Sequence, residues 1–237
     1  MYEIIPSPGT ENKDFSEIEK KIDLVKPFAK TIHIDICDGK FANNTTFADP
    51  DPFKEYIAKM AATQRSGWVA EDKGILFEVH LMVEEPINYI KKWADAGFTR
   101  FIGHIEKMSS QEEFVAQAQL YGEVALAIDK QTPVDAVKIP FDDLDAFLVM
   151  TIQAGFSGQK FEETLLEKVK KVREANPDLL IEVDGGINDE TIAVAAAAGV
   201  NRFIATSFLF SLETPEKQYQ LLDQKLQELP QGELRLD

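Results

Sequence analysis

The sequence contains a single cysteine, Cys37, among its 237 residues. One cysteine cannot form an internal disulfide, and this usage is typical of a reducing compartment. The N-terminal residues show no basic segment followed by an apolar stretch, and nowhere do about 18 apolar residues follow one another. We therefore expect a soluble, cytoplasmic protein that has no membrane partner.

Basic residues are also scarce. The chain has 25 lysines and arginines against 41 aspartates and glutamates, which gives a formal net charge of −16. Such a chain repels phosphodiester backbones, so we expect no nucleic-acid partner. The same charge disfavours small anions at long range, and any phosphate site therefore has to be built locally.

What the sequence does contain is an ordinary globular composition, with 44% hydrophobic and 28% charged residues. About 150 residues per domain would allow one or two domains, whereas a closed α/β barrel uses roughly 200 to 250 residues in one piece. Short β-rich runs recur along the whole chain. These predicted strands are residues 3–6, 31–36, 75–82, 100–105, 123–128, 145–150, 179–184 and 202–206.

Helical patterns lie between these runs, and apolar residues recur in them every three or four positions. The clearest examples are residues 14–28, 86–97, 161–175, 188–199 and 214–228. Pro86 and Asn188 are typical of helix starts, and Gly97 and Gly199 are typical of helix ends. The alternation predicts one (β/α)₈ TIM barrel over residues 1–237, with a loose C-terminal tail at 230–237. A doubly wound sheet is the alternative, but its usual G-x-G-x-x-G fingerprint is missing.

Four polar residues stand at the predicted C-terminal ends of strands, where barrels carry their chemistry. His33 and Asp35 share one face of the second strand because side chains alternate with period two. His80 follows on the third strand and Asp184 on the seventh. Two imidazoles and two carboxylates from three strands predict a site for a divalent transition metal. The alternative is a buried His–Asp pair that is only hydrogen-bonded.

The two aspartates also suggest proton transfer. A metal that polarises a carbonyl and its neighbouring hydroxyl acidifies the intervening C–H, and a carboxylate on each side of the planar enediolate inverts that stereocentre. The alternative is that one aspartate is only a ligand and the other only caps a loop.

Three further polar groups receive non-catalytic interpretations. His104, at the end of the fourth strand, could join the site, but we expect it to pack behind the site. Glu182 lies deeper on the face of Asp184 and is interpreted as a buried structural carboxylate. Cys37 has no basic neighbour in sequence, which favours a packed thiol over a thiolate.

Three small-residue loops follow the sixth, seventh and eighth strands. They are residues 155–159 (GFSGQ), 184–186 (DGG) and 206–207 (TS). Backbone N–H groups in such loops bind anions, and barrels often hold phosphate after strands seven and eight. The loops therefore predict a phosphate cradle, with simple turns as the alternative. Backbone dipoles can bind phosphate despite the net negative charge.

Four segments together resemble the signatures of ribulose-phosphate 3-epimerases. They are IHIDICDGKFANNTTF, FEVHLMVEEP, MTIQAGFSGQKF and IEVDGGINDETI, in that order. The similarity extends from about Ile4 to Phe210. It implies a TIM barrel of the ribulose-phosphate-binding type that interconverts D-ribulose 5-phosphate and D-xylulose 5-phosphate through an enediolate.

The resemblance also implies roles for individual residues. The metal, which would be zinc, iron, manganese or cobalt, would be held by His33, Asp35, His80 and Asp184. Asp35 and Asp184 would exchange the roles of proton acceptor and donor. Ser7 and His80 would contact the substrate, and Met82 and Met150 would pad the reaction centre. The phosphate would be surrounded by Gly155, Phe156, Ser157, Gly158, Gly185, Gly186, Thr206 and Ser207.

The substrate loops depart from the family pattern more than the metal and acid–base residues do. Ser157 and Thr206 replace glycines, and Pro8 lies in a rebuilt first loop. The substrate could therefore be a small phosphorylated sugar other than a pentulose phosphate, such as a hexulose 6-phosphate. A noncatalytic barrel that binds sugar phosphates is a further alternative. The sequence leaves the oligomeric state, including a homo-oligomer, open.

Overall fold

The strands lie where the alternating pattern predicts them. The computed structural model describes residues 2–65, 74–211 and 214–229. Its strands are β1 (Glu3–Pro6), β2 (Thr31–Cys37), β3 (Leu76–Met82), β4 (Arg100–His104), β5 (Glu123–Ile128), β6 (Ala146–Met150), β7 (Leu180–Asp184) and β8 (Arg202–Ala205). Each predicted strand is confirmed, and no boundary differs by more than one residue.

Helices follow most of the strands. They are α1 (Phe15–Val25), α2 (Asp51–Arg65), α3 (Ile87–Asp95), α4 (Gln111–Gln119), α5 (Leu166–Ala175), α6 (Thr191–Ala197), α7 (Ser207–Phe210) and α8 (Pro215–Gln227). Pro86 directly precedes α3, as predicted. The Asn188 side chain accepts hydrogen bonds from the backbone N–H groups of Glu190 and Thr191 at 2.9 and 3.0 Å, so it caps the turn that leads into α6.

The connection from β5 to β6 departs from this alternation. Within it the chain forms two short 3₁₀ turns, Val134–Ala136 and Phe141–Asp143, in place of an α-helix. Pro133 and Pro140 precede the two turns. Proline lacks the N–H group that an α-helix interior needs, so the two residues divide the segment into single turns.

All eight strands are parallel and pair in the order β1-β8-β7-β6-β5-β4-β3-β2. The end strands β1 and β2 lie beside each other, which closes the circle. The hydroxyl of Ser7, just after β1, donates a 2.8 Å hydrogen bond to Oδ2 of Asp35 in β2. The predicted (β/α)₈ barrel is thus confirmed.

Side chains of β2 alternate as predicted. Ile32, Ile34 and Ile36 belong to the large apolar core that includes buried residues of the surrounding helices. Cys37 belongs to a second, smaller apolar cluster that fills the barrel interior. His33 and Asp35 are on the same face as Cys37 and are therefore directed into the barrel.

Two other expectations concern the ends of the chain and membranes. The predicted tail at 230–237 lies outside the described residues, and the one-domain organisation stays a prediction. Among the helices of the described residues, none combines the length and the apolar character needed to cross a bilayer.

Candidate active site

The four predicted metal-ligating residues converge at the C-terminal ends of β2, β3 and β7. His33, Asp35, His80 and Asp184 are all buried, and each offers a ligand atom within 4.8 Å of the others. Strand register produces this proximity, because Asp35 pairs directly with His80 across β2 and β3. The structure therefore brings together the four side chains that the sequence predicted to lie close to one another.

Individual contacts centre on Asp35. Its Oδ1 atom lies 3.0 Å from Nδ1 of His80 and 3.2 Å from Nε2 of His33. Oδ2 of Asp184 lies 3.7 Å from the same His80 nitrogen. Within the described ranges, neither aspartate forms an ion pair with a lysine or an arginine. The donor set and its lack of a fixed cation fit a divalent metal ion.

The two carboxylates differ in their protonation. Burial opposes ionisation of Asp35, but the charge and hydrogen bonds of His33 and His80 outweigh it and hold its pKa well below the ordinary value. Burial and the negative charge of Asp35 raise the pKa of Asp184 to about 7. One carboxylate is thus ionised while the other can carry a proton near neutral pH, the arrangement needed for a paired base and acid.

The two imidazoles also differ. Burial lowers the pKa of His80 to about 4, and the neighbouring His104 adds to this effect. Burial also opposes the charge on His33, but the carboxylates of Asp35 and Glu78 raise the pKa of this ring above its ordinary value. His80 is therefore neutral and can present a nitrogen lone pair, whereas the charge on His33 depends on its carboxylate partners.

His104 lies behind His80, as expected, and outside the group of four. Its Nε2 atom is 2.9 Å from Nε2 of His80, and its Nδ1 atom is 3.0 Å from Oε2 of Glu106. Hydrogen bonds from His104 and its neighbours outweigh the burial of Glu106 and lower the pKa of that carboxyl to about 2. His104 therefore connects His80 to an ionised carboxylate.

A layer of buried charges lies below the site, and of its members the sequence analysis identified only Glu182. Glu182, interpreted as structural, accepts a 2.6 Å hydrogen bond from Nε of Arg202. Glu78 accepts hydrogen bonds from Arg100 at 2.7 Å and from Arg202 at 3.0 Å. His33, Glu78 and Glu182 also lie close enough to share a cation, but the two arginines already supply the positive charge there. Glu78 was detectable because it stands two residues before His80 on the same face of β3.

The predicted phosphate loops line one pocket that is open to solvent. It contains Asp35 and Asp184 together with the apolar side chains of Met82 and Met150. All eight predicted phosphate residues line it: Gly155, Phe156, Ser157, Gly158, Gly185, Gly186, Thr206 and Ser207. Ser7 and His80 do not line this pocket, and both reach it through their hydrogen bonds to Asp35.

Glycine is required in the loop after β7. Gly186 has a φ of +69°, and a Cβ atom there would lie 2.7 Å from the backbone nitrogen of Phe161. A Cβ at Gly185 would overlap Ile152. Only glycine satisfies both the conformation and the close packing at these two positions. The backbone of this loop therefore has no side chain between it and the pocket.

Two polar residues that the sequence did not reveal hold the loop after β6. Oγ1 of Thr10 accepts a 3.3 Å hydrogen bond from the backbone N–H of Ser157. The Asn44 side chain donates a 2.7 Å hydrogen bond to the carbonyl of Gly155. These contacts join residues 111 and 147 positions apart, and no local sequence pattern reports such distances.

The altered residue Thr206 is accommodated by the rebuilt first loop. Gly9 has a φ of +91°, and a Cβ atom there would lie 2.7 Å from Cγ2 of Thr206. The two departures from the family pattern are therefore complementary in space, because Gly9 leaves the room that the methyl group of Thr206 occupies.

Cys37 packs as expected. Its sulfur lies 4.0 Å from Sδ of Met82. Burial, together with the negative charge of Asp35, raises the pKa of the thiol far above its ordinary value. Cys37 therefore packs as an apolar side chain in the barrel interior and is not a thiolate nucleophile.

Comparisons with known proteins agree with this geometry. Solved barrels share the fold at low identity. One is 3-keto-L-gulonate-6-phosphate decarboxylase from Vibrio cholerae O1 biovar El Tor, with a TM-score of 0.67, 12% identity, and 95% and 97% of the two chains covered. Another is 3-hexulose-6-phosphate synthase from Salmonella typhimurium, with a TM-score of 0.65, 13% identity, and 95% and 98% covered. At such identities the similarity shows the fold alone.

Sequence relatives are more informative. The chain is 35% identical to the ribulose-phosphate 3-epimerase of Schizosaccharomyces pombe over 214 residues, which are 89% of each chain. It is 33% identical to the ribulose-phosphate 3-epimerase of Bacillus subtilis over 218 residues, 89% of this chain and 94% of the relative. The Ribulose-phosphate 3 epimerase family matches residues 7–210. The chain therefore belongs to the ribulose-phosphate 3-epimerase family and is an isomerase of the epimerase class.

Proposed function

We propose that this protein catalyses the metal-dependent epimerisation of D-ribulose 5-phosphate and D-xylulose 5-phosphate at C3. The observation that carries the proposal is the pair of carboxylates, Asp35 and Asp184, that border one pocket with opposite pKa shifts. Family membership supports the same reaction class.

The proposed proton transfer uses the two aspartates in turn. The ionised carboxylate of Asp35 removes the proton from C3, and the electrons of the C–H bond enter the C2–C3 bond as the planar enediolate forms. The protonated carboxyl of Asp184 then delivers a proton to the opposite face of C3. The configuration is inverted, and the two aspartates exchange roles in the reverse direction.

His33, Asp35, His80 and Asp184 would hold the divalent metal. When bound, the metal supplies Lewis-acid polarisation of the substrate carbonyl, which makes the neighbouring C–H more acidic. Zinc, iron, manganese and cobalt are all compatible with a site of two nitrogen and two oxygen donors.

Other side chains would orient the base and shape the pocket. Ser7 is fully buried, and its hydroxyl donates a hydrogen bond to Oδ2 of Asp35, which fixes the direction of this carboxylate. Met82 and Met150 supply apolar surface beside the two aspartates. Such surface excludes water, so that the enediolate receives its proton from the protein.

The phosphate would lie among the loops after β6, β7 and β8. The backbone beside Gly185 and Gly186 is unobstructed by side chains, and Ser157 and Thr206 add hydroxyl groups to the same pocket. Phosphate would thus be bound by backbone dipoles and hydroxyls rather than by lysine or arginine. This explains how a chain with a net charge of −16 could accept an anionic substrate.

The cellular setting belongs to the same proposal. We propose a single-domain enzyme that works in the cytoplasm on a small phosphorylated sugar, without nucleic acid or membrane partners. The supporting observations are the acidic charge and the single buried cysteine.

A substrate panel tests the proposal. Purified protein, stripped of metal and then reloaded separately with zinc, iron, manganese or cobalt, is assayed with D-ribulose 5-phosphate and with hexulose 6-phosphates. We expect xylulose 5-phosphate to form from ribulose 5-phosphate, with kcat/KM highest for the pentulose phosphate. Faster turnover of a hexulose 6-phosphate would overturn the substrate assignment, and no turnover of any ketose phosphate with any of the metals would overturn the activity.

A further inference from the structure

Each histidine of the site is backed by a carboxylate that the proton chemistry does not use. Glu78 contacts the outer nitrogen of His33 directly, and Glu106 reaches His80 through His104. We propose that Glu78 and Glu106 are positioning residues that determine which nitrogen of His33 and of His80 faces the metal. This inference rests on the metal site of the proposed function.

The contact between Glu78 and His33 is direct and fully buried. Oε1 of Glu78 lies 2.7 Å from Nδ1 of His33, and both side chains are 0% exposed. The other oxygen of Glu78 accepts hydrogen bonds from Arg100 and Arg202, so the carboxylate is fixed in place with Oε1 directed at His33 as an acceptor. Nδ1 of His33 must then carry a hydrogen, so when the ring is neutral the lone pair lies on Nε2, the atom directed at Asp35.

The contact between Glu106 and His80 passes through one more ring. Oε2 of Glu106 lies 3.0 Å from Nδ1 of His104, so that nitrogen donates and Nε2 of the neutral His104 ring accepts. The accepting nitrogen lies 2.9 Å from Nε2 of His80, which must therefore carry the hydrogen. With a metal in the site, the lone pair of the neutral His80 ring would then lie on Nδ1, the atom that faces Asp35.

Glu106 is itself held in place. Its Oε1 atom accepts a 2.7 Å hydrogen bond from the backbone N–H of Asp129, at the end of β5. The chain of contacts therefore runs from the backbone after β5 through Glu106 and His104 to His80. Such partners of ligating histidines fix the tautomer and the ring orientation, and their loss typically lowers metal affinity by about 10–100-fold.

Glu182 provides a matched control. Like Glu78, it is 0% exposed and bound to Arg202, here through the guanidinium Nε at 2.6 Å. None of its hydrogen bonds among the described residues goes to His33, His80 or either aspartate. Replacement of its carboxyl group therefore perturbs the same buried layer without removing a partner from a metal-facing histidine.

The experiment compares Glu78→Gln, Glu106→Gln and Glu182→Gln with the wild type. Metal-free proteins are titrated with Zn²⁺ in competition with a chromophoric chelator. We expect Glu78→Gln and Glu106→Gln each to weaken zinc binding by about 10–100-fold. Glu182→Gln should bind within about twofold of the wild type, since it removes no partner from a ligating ring.

A spectroscopic measurement separates positioning from general loss of structure. The visible absorption of bound Co²⁺ reports the geometry of its ligands, and we expect it to change in Glu78→Gln and Glu106→Gln but not in Glu182→Gln. Wild-type zinc affinity and Co²⁺ spectra in both test variants would overturn the inference, as would an equal loss in Glu182→Gln. If Glu78→Gln does not fold, Glu106→Gln decides alone, because Glu106 contacts neither buried arginine. A wild-type protein that binds neither metal would instead overturn the proposed metal site.

Discussion

Two layers of charged side chains lie inside the barrel, and they use similar residues in different ways. The lower layer pairs Glu78 and Glu182 with Arg100 and Arg202. The upper layer places Asp35 and Asp184 beside two histidines, with no lysine or arginine paired to either aspartate in the described part of the chain. The lower layer carries its own counter-ions, and the upper layer has no fixed cation.

This difference separates structure from chemistry. A buried carboxylate needs a compensating charge or a proton, because burial in a low dielectric disfavours the ionised form. Guanidinium groups supply a fixed positive charge in the lower layer. In the upper layer the need is met by a histidine, by a proton on Asp184 or by a metal ion. Groups that can exchange protons and metals are the ones that can carry a reaction.

The largest expected effect comes from breaking the upper layer. Asp35→Asn and Asp184→Asn each remove a base or an acid from the proton transfer while keeping the side-chain volume. We expect kcat for the conversion of ribulose 5-phosphate to fall by at least about 10²–10⁴-fold in each variant. A coupled assay for xylulose 5-phosphate measures this effect.

Glu182→Gln is the matched control from the lower layer, because it also converts a buried carboxylate to an amide. It should retain most of the wild-type kcat. Near-wild-type activity in either aspartate variant would contradict the assignment of the two bases.

The second prediction breaks the lower layer. Arg202→Met leaves Glu182 and Glu78 without one of their buried counter-ions. Removal of one partner from a buried pair costs about 3–5 kcal/mol, so we expect the free energy of unfolding in urea to fall by that amount. The double variant Arg202→Met with Glu182→Met should recover part of the loss, since it removes a pair together. Equal stability of Arg202→Met and the wild type would contradict the structural role of this layer.

The third prediction sharpens the contrast through pH. In metal-free protein the pKa of Asp184 is raised to about 7 from an ordinary value of 3.8. The folded state then binds more protons than the unfolded state between these values, so this group lowers the free energy of unfolding as pH rises through the window. Asp184→Asn removes the titrating group, and with it this decrease in the free energy of unfolding.

We therefore expect Asp184→Asn to be more stable relative to the wild type at pH 8 than at pH 4, both proteins being kept in chelator. Urea unfolding at the two pH values measures the difference. A stability difference that is independent of pH would contradict the raised pKa.

Much of the fold and of the upper layer could be predicted from the sequence. Period-two alternation placed His33 and Asp35 on one face of β2. His80 and Asp184 could be predicted as site residues because barrels carry their active sites at the C-terminal ends of the strands. The prolines at 133 and 140 were visible signals for the two turns that replace a helix between β5 and β6.

The lower layer and the loop contacts could not be predicted in the same way. The pairing of Glu78 with Arg202 depends on which side chains meet across the barrel interior, at a separation of 124 residues. The bond between Thr10 and Ser157 depends on the conformations of two loops that belong to different strands. Local periodicity carries no information about either contact.

Solvent isotope incorporation tests the central claim most directly. Ribulose 5-phosphate is converted in D₂O by the metal-loaded wild type, and the hydrogen at C3 of the xylulose 5-phosphate formed early in the reaction is identified by NMR. The two-aspartate account predicts deuterium at C3 of the product, because the proton returned by Asp184 comes from solvent and not from the proton taken by Asp35. Product that retains the original hydrogen at C3 would contradict it.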